Sequence, residues 1–276
     1  MRRSGKARRW GLFVEGAHWL VPQRRDELVE LWHELVQACS KLSKDLVSVH
    51  GFNKGQLVAM GEPRDPLTRS LARTSTEIPL DVMIATAYDQ QPFEVLIVAF
   101  DAHPANECLQ PTASGALRAG RAQRPCQREE LHFVLRHLAE SEVLPAPFRQ
   151  DAASLLAHYQ GAPASSRATG RPPRGSLDLL YMDPEFEALV TSDDSAILAT
   201  LSLKSRPKGW PQFPPKRKKH KDTLEKACRM GTPPRHLRGA FRESPHAWAL
   251  EILRNASERS RLWQHVIAAR LRLLLG

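Results

Sequence analysis

The sequence predicts an α/β fold, a mainly parallel sheet flanked by helices. Three observations lead there. Short apolar runs of β type recur at residues 10–14, 45–52, 93–100 and 176–182, a helix-periodic stretch separates the first two, and runs of the two kinds alternate along the chain. With 276 residues, 42% hydrophobic and 25% charged, the chain can bury a full core.

Trp10 to Val14 is apolar and stops at Glu15-Gly16, as a buried parallel strand does when it delivers a residue to the sheet edge. From Arg24 to Leu42 the residues Leu28, Leu31, Trp32, Leu35, Val36 and Cys39 recur at steps of three and four, which predicts an amphipathic helix with its apolar stripe on the sheet. Asp45 to Phe52 is valine-rich and alternating, a second strand. Asn53 to Thr76 is polar with Gly and Pro and reads as loop. Leu80 to Tyr88 fits a short helix, in which Asp81 and Asp89 are helix-end residues.

Phe93 to Phe100 is the most continuous β-type run, and it ends at Asp101. After a Pro, Ala, Gly and Arg stretch to about Gln127, Leu131, Val134, Leu135 and Leu138 mark a helix, and Asp151 to Tyr159 another. Residues 161–175 are too poor in apolar side chains to order themselves and read as a flexible loop. Ser176 to Met182 is a further strand, and Pro184 suits the first turn of a helix carrying Glu185 and Glu187 on different faces. Helical periodicity returns through Trp248, Ile252 and Leu253. The expected organisation is an α/β core over 8–203, followed by a basic, mostly helical region over 204–276 that packs on it.

Lys and Arg number 40 against 30 Asp and Glu, a net charge of +10, which suits a polyanionic partner such as nucleic acid or else a merely solvated surface. Lys204 to Lys221 concentrates that charge. There Lys216, Arg217, Lys218, Lys219 and Lys221 suit phosphate contact, with Trp210 and Phe213 as stacking platforms; a solvated proline-rich loop is the plain alternative. Cys39, Cys108, Cys126 and Cys228 lie far apart without a Cys-x-x-Cys pair and read as reduced thiols. The basic N-terminus is followed by an apolar run too short for a signal peptide, and nothing approaches the ~20 apolar residues of a membrane span. A cytoplasmic protein with no membrane partner is expected. The absence of a Gly-x-x-x-x-Gly-Lys-Ser/Thr sequence excludes a P-loop, and the absence of Gly-x-Ser-x-Gly excludes a nucleophile elbow.

In a parallel sheet, ligands bind beyond the carboxyl ends of the strands, where Glu15 and Asp101 are expected. Two acids on neighbouring strands repel unless a cation or a proton lies between them. Mg²⁺ suits the pair because it takes only one or two carboxylates and keeps water and phosphate oxygens in its other positions. Such a metal can orient a water and stabilise charge on a phosphodiester. Strand-end acids also cap following helices, and spacing alone leaves both readings open. His18 and Trp19, beside Glu15, are either substrate contacts or packing.

Leu12-Phe13-Val14-Glu15-Gly16 resembles the strand-Glu-Gly opening of TOPRIM domains, found in topoisomerases, primases and nucleases of the overcoming-lysogenization-defect type. Val95 to Asp101, continuing into Ala102-His103, resembles that fold's later strand with its Asp-x-Asp motif. Leu180 to Leu189, which contains Glu185-Phe186-Glu187-Ala188-Leu189, together with Asp193 and Ser244-Pro245-His246-Ala247-Trp248, is similar to the TOPRIM-like family numbered 4276 among domains of unknown function. The pieces keep that family's order from about residue 9 to residue 255.

The resemblance implies a TOPRIM-like, Rossmann-like sheet and Mg²⁺- or Mn²⁺-dependent nuclease chemistry, often in antiphage defence and beside an ATPase partner. It assigns a first acid at Glu15, a second at Asp101 and an auxiliary cluster at Glu185 and Glu187. Two positions depart from it. Trp19 stands where a second acid commonly follows Glu-Gly, and His103 stands at the second Asp of Asp-x-Asp, where it suits a metal ligand or a proton carrier. The expected function is therefore a metal-dependent nuclease subunit. The alternatives are a degenerate subunit that serves as a scaffold or nucleic-acid-binding partner of an ATPase complex, and a protein whose basic patches alone matter.

Overall fold

A computed structural model describes residues 8–16, 22–61, 78–101, 127–161, 175–182, 186–215, 220–237 and 240–275. Among them four strands form one parallel sheet flanked by helices, in the order β2-β1-β3-β4. The strands are β1 (Trp10–Glu15), β2 (Val47–Phe52), β3 (Val95–Asp101) and β4 (Leu177–Met182). The helices in chain order are α1 (Pro22–Cys39), α2 (Lys54–Val58), α3 (Leu80–Gln90), α4 (Gln127–Glu140), α5 (Ala146–Gly161), α6 (Glu187–Val190), α7 (Asp194–Thr200), α8 (His220–Cys228), α9 (Pro245–Arg254) and α10 (Val266–Leu275). The predicted fold class holds as an α/β parallel sheet.

Close contacts group the chain into two compact units. One comprises residues 1–15 and 52–179, the other residues 16–51 and 180–276.

In the first unit β1 pairs in parallel with β3, from Trp10 opposite Val95 to Val14 opposite Ala99. Leu12, Phe13 and Val14 are buried, as is every residue from Val95 to Phe100, which is why these strands read as unbroken apolar runs. Phe93 stacks on Phe148 with ring centres 5.6 Å apart and meets Tyr88 edge-on at 5.3 Å. Gly11 lets that cluster lie against β1, since a Cβ there would come within 2.8 Å of the Phe93 ring. Helices α4 and α5 pack on each other. At the start of β4, Ser176 donates through its Oγ to Asp151 Oδ2 at 2.6 Å and accepts from Leu96 N through its carbonyl at 2.7 Å. Asp81 accepts from Ser141 Oγ at 2.7 Å in the first turn of α3, as its helix-end assignment predicts.

The stretch after β2, read as loop, opens instead with α2. Asn53 and Gln56 form a capping box: Asn53 Oδ1 accepts from Gln56 N, and Gln56 Oε1 accepts from Asn53 N, both at 3.0 Å. That reciprocal pair satisfies two amides at the helix start and sustains a helix of only five residues that includes Gly55.

In the second unit α1 buries the predicted stripe, with Leu28, Leu31, Trp32, Leu35 and Val36 each at most 2% exposed, and packs against α9 and α10. Each such side chain contributes roughly 1.5–3 kcal/mol by leaving water. Trp32 lies against Phe186 at 5.5 Å between ring centres. At the far end of α9, Arg254 ion-pairs with Glu30 of α1 at 2.5 Å. Among the described residues Cys39 and Cys228 are free and buried. Burial pushes the Cys39 thiol up to about 11; burial, with Glu225 adding, pushes Cys228 up to about 12.

Asp193 organises the end of this unit. Its Oδ1 accepts from Ser195 N at 3.0 Å and Ser195 Oγ at 2.8 Å, capping α7, while Oδ2 accepts from Ser260 Oγ at 2.6 Å and Arg261 N at 3.0 Å. Burial works to raise its carboxyl, but the bonds from Ser260, Ser195 and Arg261 outweigh that and hold it below the usual range. Asp193→Ala is expected to lower stability by about 2 kcal/mol in urea unfolding. Because the folded-state pKa is the lower one, the wild-type advantage over the variant is complete above the unfolded value of about 4 and disappears as pH falls through the folded value. An advantage that instead grew on acidification would contradict the assigned hydrogen bonds.

Candidate functional site

The strand order points to a candidate site before any side chain does. The chain passes from β1 outward to β2, then returns to the other side of β1 to form β3 and continues to β4. The direction reverses between β1 and β3, and in open parallel sheets ligands bind at the carboxyl ends of the strands flanking such a reversal. Those ends are Glu15 and Asp101. Continuing the register past Val14 and Ala99 sets Glu15 beside Phe100, so Asp101 follows one residue later along its strand.

Glu15 is partly exposed and closes β1. Asp101 closes β3, and its side chain lies outside the described part of the structure. His103, Glu185, Lys216, Arg217, Lys218 and Lys219, with the flanking His18 and Trp19, also lie outside the described residues. Among the described residues no three His, Cys, Asp or Glu side chains gather to hold a metal ion.

Immediately after Glu15, Gly16 adopts φ of +127°, in the region that L side chains rarely enter. Its carbonyl accepts from His246 Nε2 at 3.1 Å, so that nitrogen carries a proton. A Cβ on Gly16 would stand 3.2 Å from His246 Cε1 and 3.6 Å from Leu28 Cδ1. The sequence singled out His246 only within the Ser244–Trp248 segment, and a partner 230 residues away leaves no local signal.

Two residues assigned to different tasks meet. Glu187 is buried in α6, and its Oε1 lies 3.5 Å from Nζ of the exposed Lys221. Beside them Thr191 Oγ1 lies 2.7 Å from the Glu187 carbonyl and shares a 2.6 Å hydrogen bond with Nδ1 of the buried His220. Trp210 is held edge-on. Its Nε1 donates to Asp194 Oδ2 at 3.0 Å, Arg206 grips the same carboxylate at 2.7 and 3.0 Å, and the Phe213 ring centre is 5.8 Å away. Both rings stay half-buried on an ordered segment beside exposed Lys204 and Lys208. His50, late in β2, has its pKa lowered by burial and by Arg25.

No family model, curated protein or solved structure matches the chain. No described helix is long and apolar enough to cross a membrane.

Gly16→Ala is expected to destabilise by about 1–3 kcal/mol, since it forces a strained φ and pushes on His246. Gly209, with φ of +83°, gives the contrast: a Cβ there meets only Met230 Cε at 3.8 Å, so Gly209→Ala costs about 1 kcal/mol from the backbone alone. Equal losses for the two variants in chemical denaturation would contradict the tight contact at Gly16.

Proposed function

We propose that the chain is a divalent-metal-dependent nuclease subunit whose metal is held by Glu15 and Asp101, working beside an ATPase in antiphage defence. The observation that carries this reading is the reversal of strand order between two adjacent parallel strands that both end in an acid. The net charge of +10 and the TOPRIM resemblance of the same two strand ends support it. Two carboxylates are the small protein share that a Mg²⁺ shell needs, and Mn²⁺ accepts the same oxygens and a histidine nitrogen.

When bound, such an ion supplies charge stabilisation on a phosphodiester oxygen and a site for the attacking water. Glu15 and Asp101 supply the oxygens that hold it. Water adds to phosphorus, the P–O ester bond breaks, and the water's proton ends on the departing oxygen; His103 carries that proton near neutral pH. Glu185 assists the acids. Glu187 is the second auxiliary acid and pairs with Lys221, and Lys221 with Lys216, Arg217, Lys218 and Lys219 is the set of cations suited to backbone phosphates. Trp210, fixed by Asp194, offers a ring face for a base to stack on.

A second reading is a degenerate, binding-only subunit of the same complex, favoured by Trp19 and His103 standing where the resembled family carries acids. Incubation of the full chain with single- and double-stranded DNA and RNA plus Mg²⁺ or Mn²⁺ separates the two. Cleavage is expected, and Glu15→Ala and Asp101→Ala should each reduce it to background; cleavage that survives both substitutions sinks the nuclease reading. Lys221→Ala should weaken binding for all sequences alike and lessen the salt slope by about 1.

A further inference from the structure

We propose that the turn carrying Trp210 is a site for single-stranded nucleic acid, at which an unpaired base stacks on the indole while Lys204 and Lys208 meet the adjoining phosphates. This rests on the proposed reading of the basic segment as phosphate-binding. It needs no metal and no residue of the strand ends.

From Ser195 to Lys221 the sequence holds eight Lys or Arg and no acid, so no neighbour along the chain neutralises the segment. Charges of one sign in series repel and keep a stretch of chain open to solvent. Residues 206–210 are nonetheless held, by one carboxylate. Asp194, whose side chain is 12% exposed, accepts from Arg206 at 2.7 and 3.0 Å and from Trp210 Nε1 at 3.0 Å. Between those two anchors Trp210 N donates to the Pro207 carbonyl at 3.0 Å. Gly209, third of the four turn residues, takes the positive φ, +83°, that a type II turn requires there. Lys208 therefore stands at the corner of a fixed turn. It and Lys204 are exposed, and among the described residues neither has an ion-pair partner.

Trp32 and Trp248 are each 1% exposed and belong to the core, whereas Trp210 keeps part of its ring in water. Asp194 fixes the indole by its edge, which leaves the ring face to other partners. Phe213, with its ring centre 5.8 Å away and tilted by 45°, adds a second ring beside it. A fixed aromatic ring among unpaired lysines is the arrangement that binds single strands without regard to sequence, since every base has a face to stack and every nucleotide a phosphate to neutralise. Paired bases already stack on one another and cannot use the ring. Because the turn holds the ring and Lys208 in place beforehand, binding avoids much of the cost of ordering them.

The test uses the full chain without divalent metal. Labelled oligothymidylate and oligouridylate of about 12 nucleotides, and a DNA duplex of the same length, are bound and read by fluorescence anisotropy, with the thermal midpoint recorded for each variant. Trp210→Leu, which keeps apolar bulk and removes the aromatic face, should weaken the single strands about 5–100-fold and leave the duplex within about twofold. Trp210→Phe, which restores a ring, should recover most of that loss; no recovery counts against stacking. Lys208→Ala, at an exposed corner where the fold does not depend on it, should lessen the salt slope for the single strands by about 0.7, and an unchanged slope removes its phosphate contact. Weakening confined to one of the two single strands upholds the site and names the nucleic acid it takes. Unchanged single-strand affinity in Trp210→Leu overturns the site and leaves phosphate contact by the basic segment standing. Equal weakening of single strands and duplex assigns the ring to packing and overturns it too. Displacement of the oligonucleotides by polyglutamate of equal charge reduces the turn to a patch for acidic proteins, with the same result. A wild-type chain that binds neither form removes the site together with the phosphate-binding reading, whatever becomes of the metal.

Discussion

The parallel pairing of β1 with β3 is the constraint on which everything else depends. Five residue pairs, from Trp10 with Val95 to Val14 with Ala99, hold two stretches of chain that lie 85 residues apart in sequence. The pairing makes β1 a central strand with a neighbour on each side, sets the point where strand order reverses, and brings the two terminal acids to adjacent strand ends. A slip of one residue would exchange the faces of Leu12, Phe13 and Val14, all of them buried, and set each against packing shaped for its neighbour. The aromatic packing of Phe13 and Phe93, with ring centres 6.2 Å apart, and the bare Gly11 under the Phe93 ring both oppose such a slip.

The large elements were legible because their signals are local. β1, α1 and β3 carry unbroken or periodic apolar residues, and their limits fall within a few positions of the sequence reading. α2 was missed although its signal was present, an Asn followed three residues later by Gln, because the surrounding Gly and Pro suggested a turn. α7 and α8 were not anticipated for a different reason. α7 is seven residues long and is held by the Asp193 carboxylate, whose bonds to Ser260 and Arg261 reach 67 and 68 residues along the chain. Such a helix is specified by the tertiary contact that caps it, with little help from its own propensity.

The site divides along the same line. Glu15 and Asp101 could be read from the ends of apolar runs, and the sheet sets those two strand ends side by side, one residue out of register. The pairing of Glu187 with Lys221 could not be read, because it joins a residue next to β4 to one in a separate basic cluster. It also brings a buried carboxylate and an exposed ammonium together, with Glu187 Oε1 3.5 Å from Lys221 Nζ. The contact of His246 with Gly16 lay still further from view. A glycine after a strand marks a tight turn, but which distant side chain supports that turn is decided only once α9 has docked on α1.

The central place of β1 also bears on biosynthesis. Of the four described strands it is synthesised before the others and has two edges to fill. Val47–Phe52 arrives soon after to cover one, but the other waits for Val95–Asp101. At roughly 5–20 residues per second, an apolar strand with an open row of amides and carbonyls persists for on the order of ten seconds. For that interval the nascent chain is a template for any passing strand. The same burial that gives the finished sheet its stability makes residues 10–15 the stretch that most needs shielding while the chain is still being made.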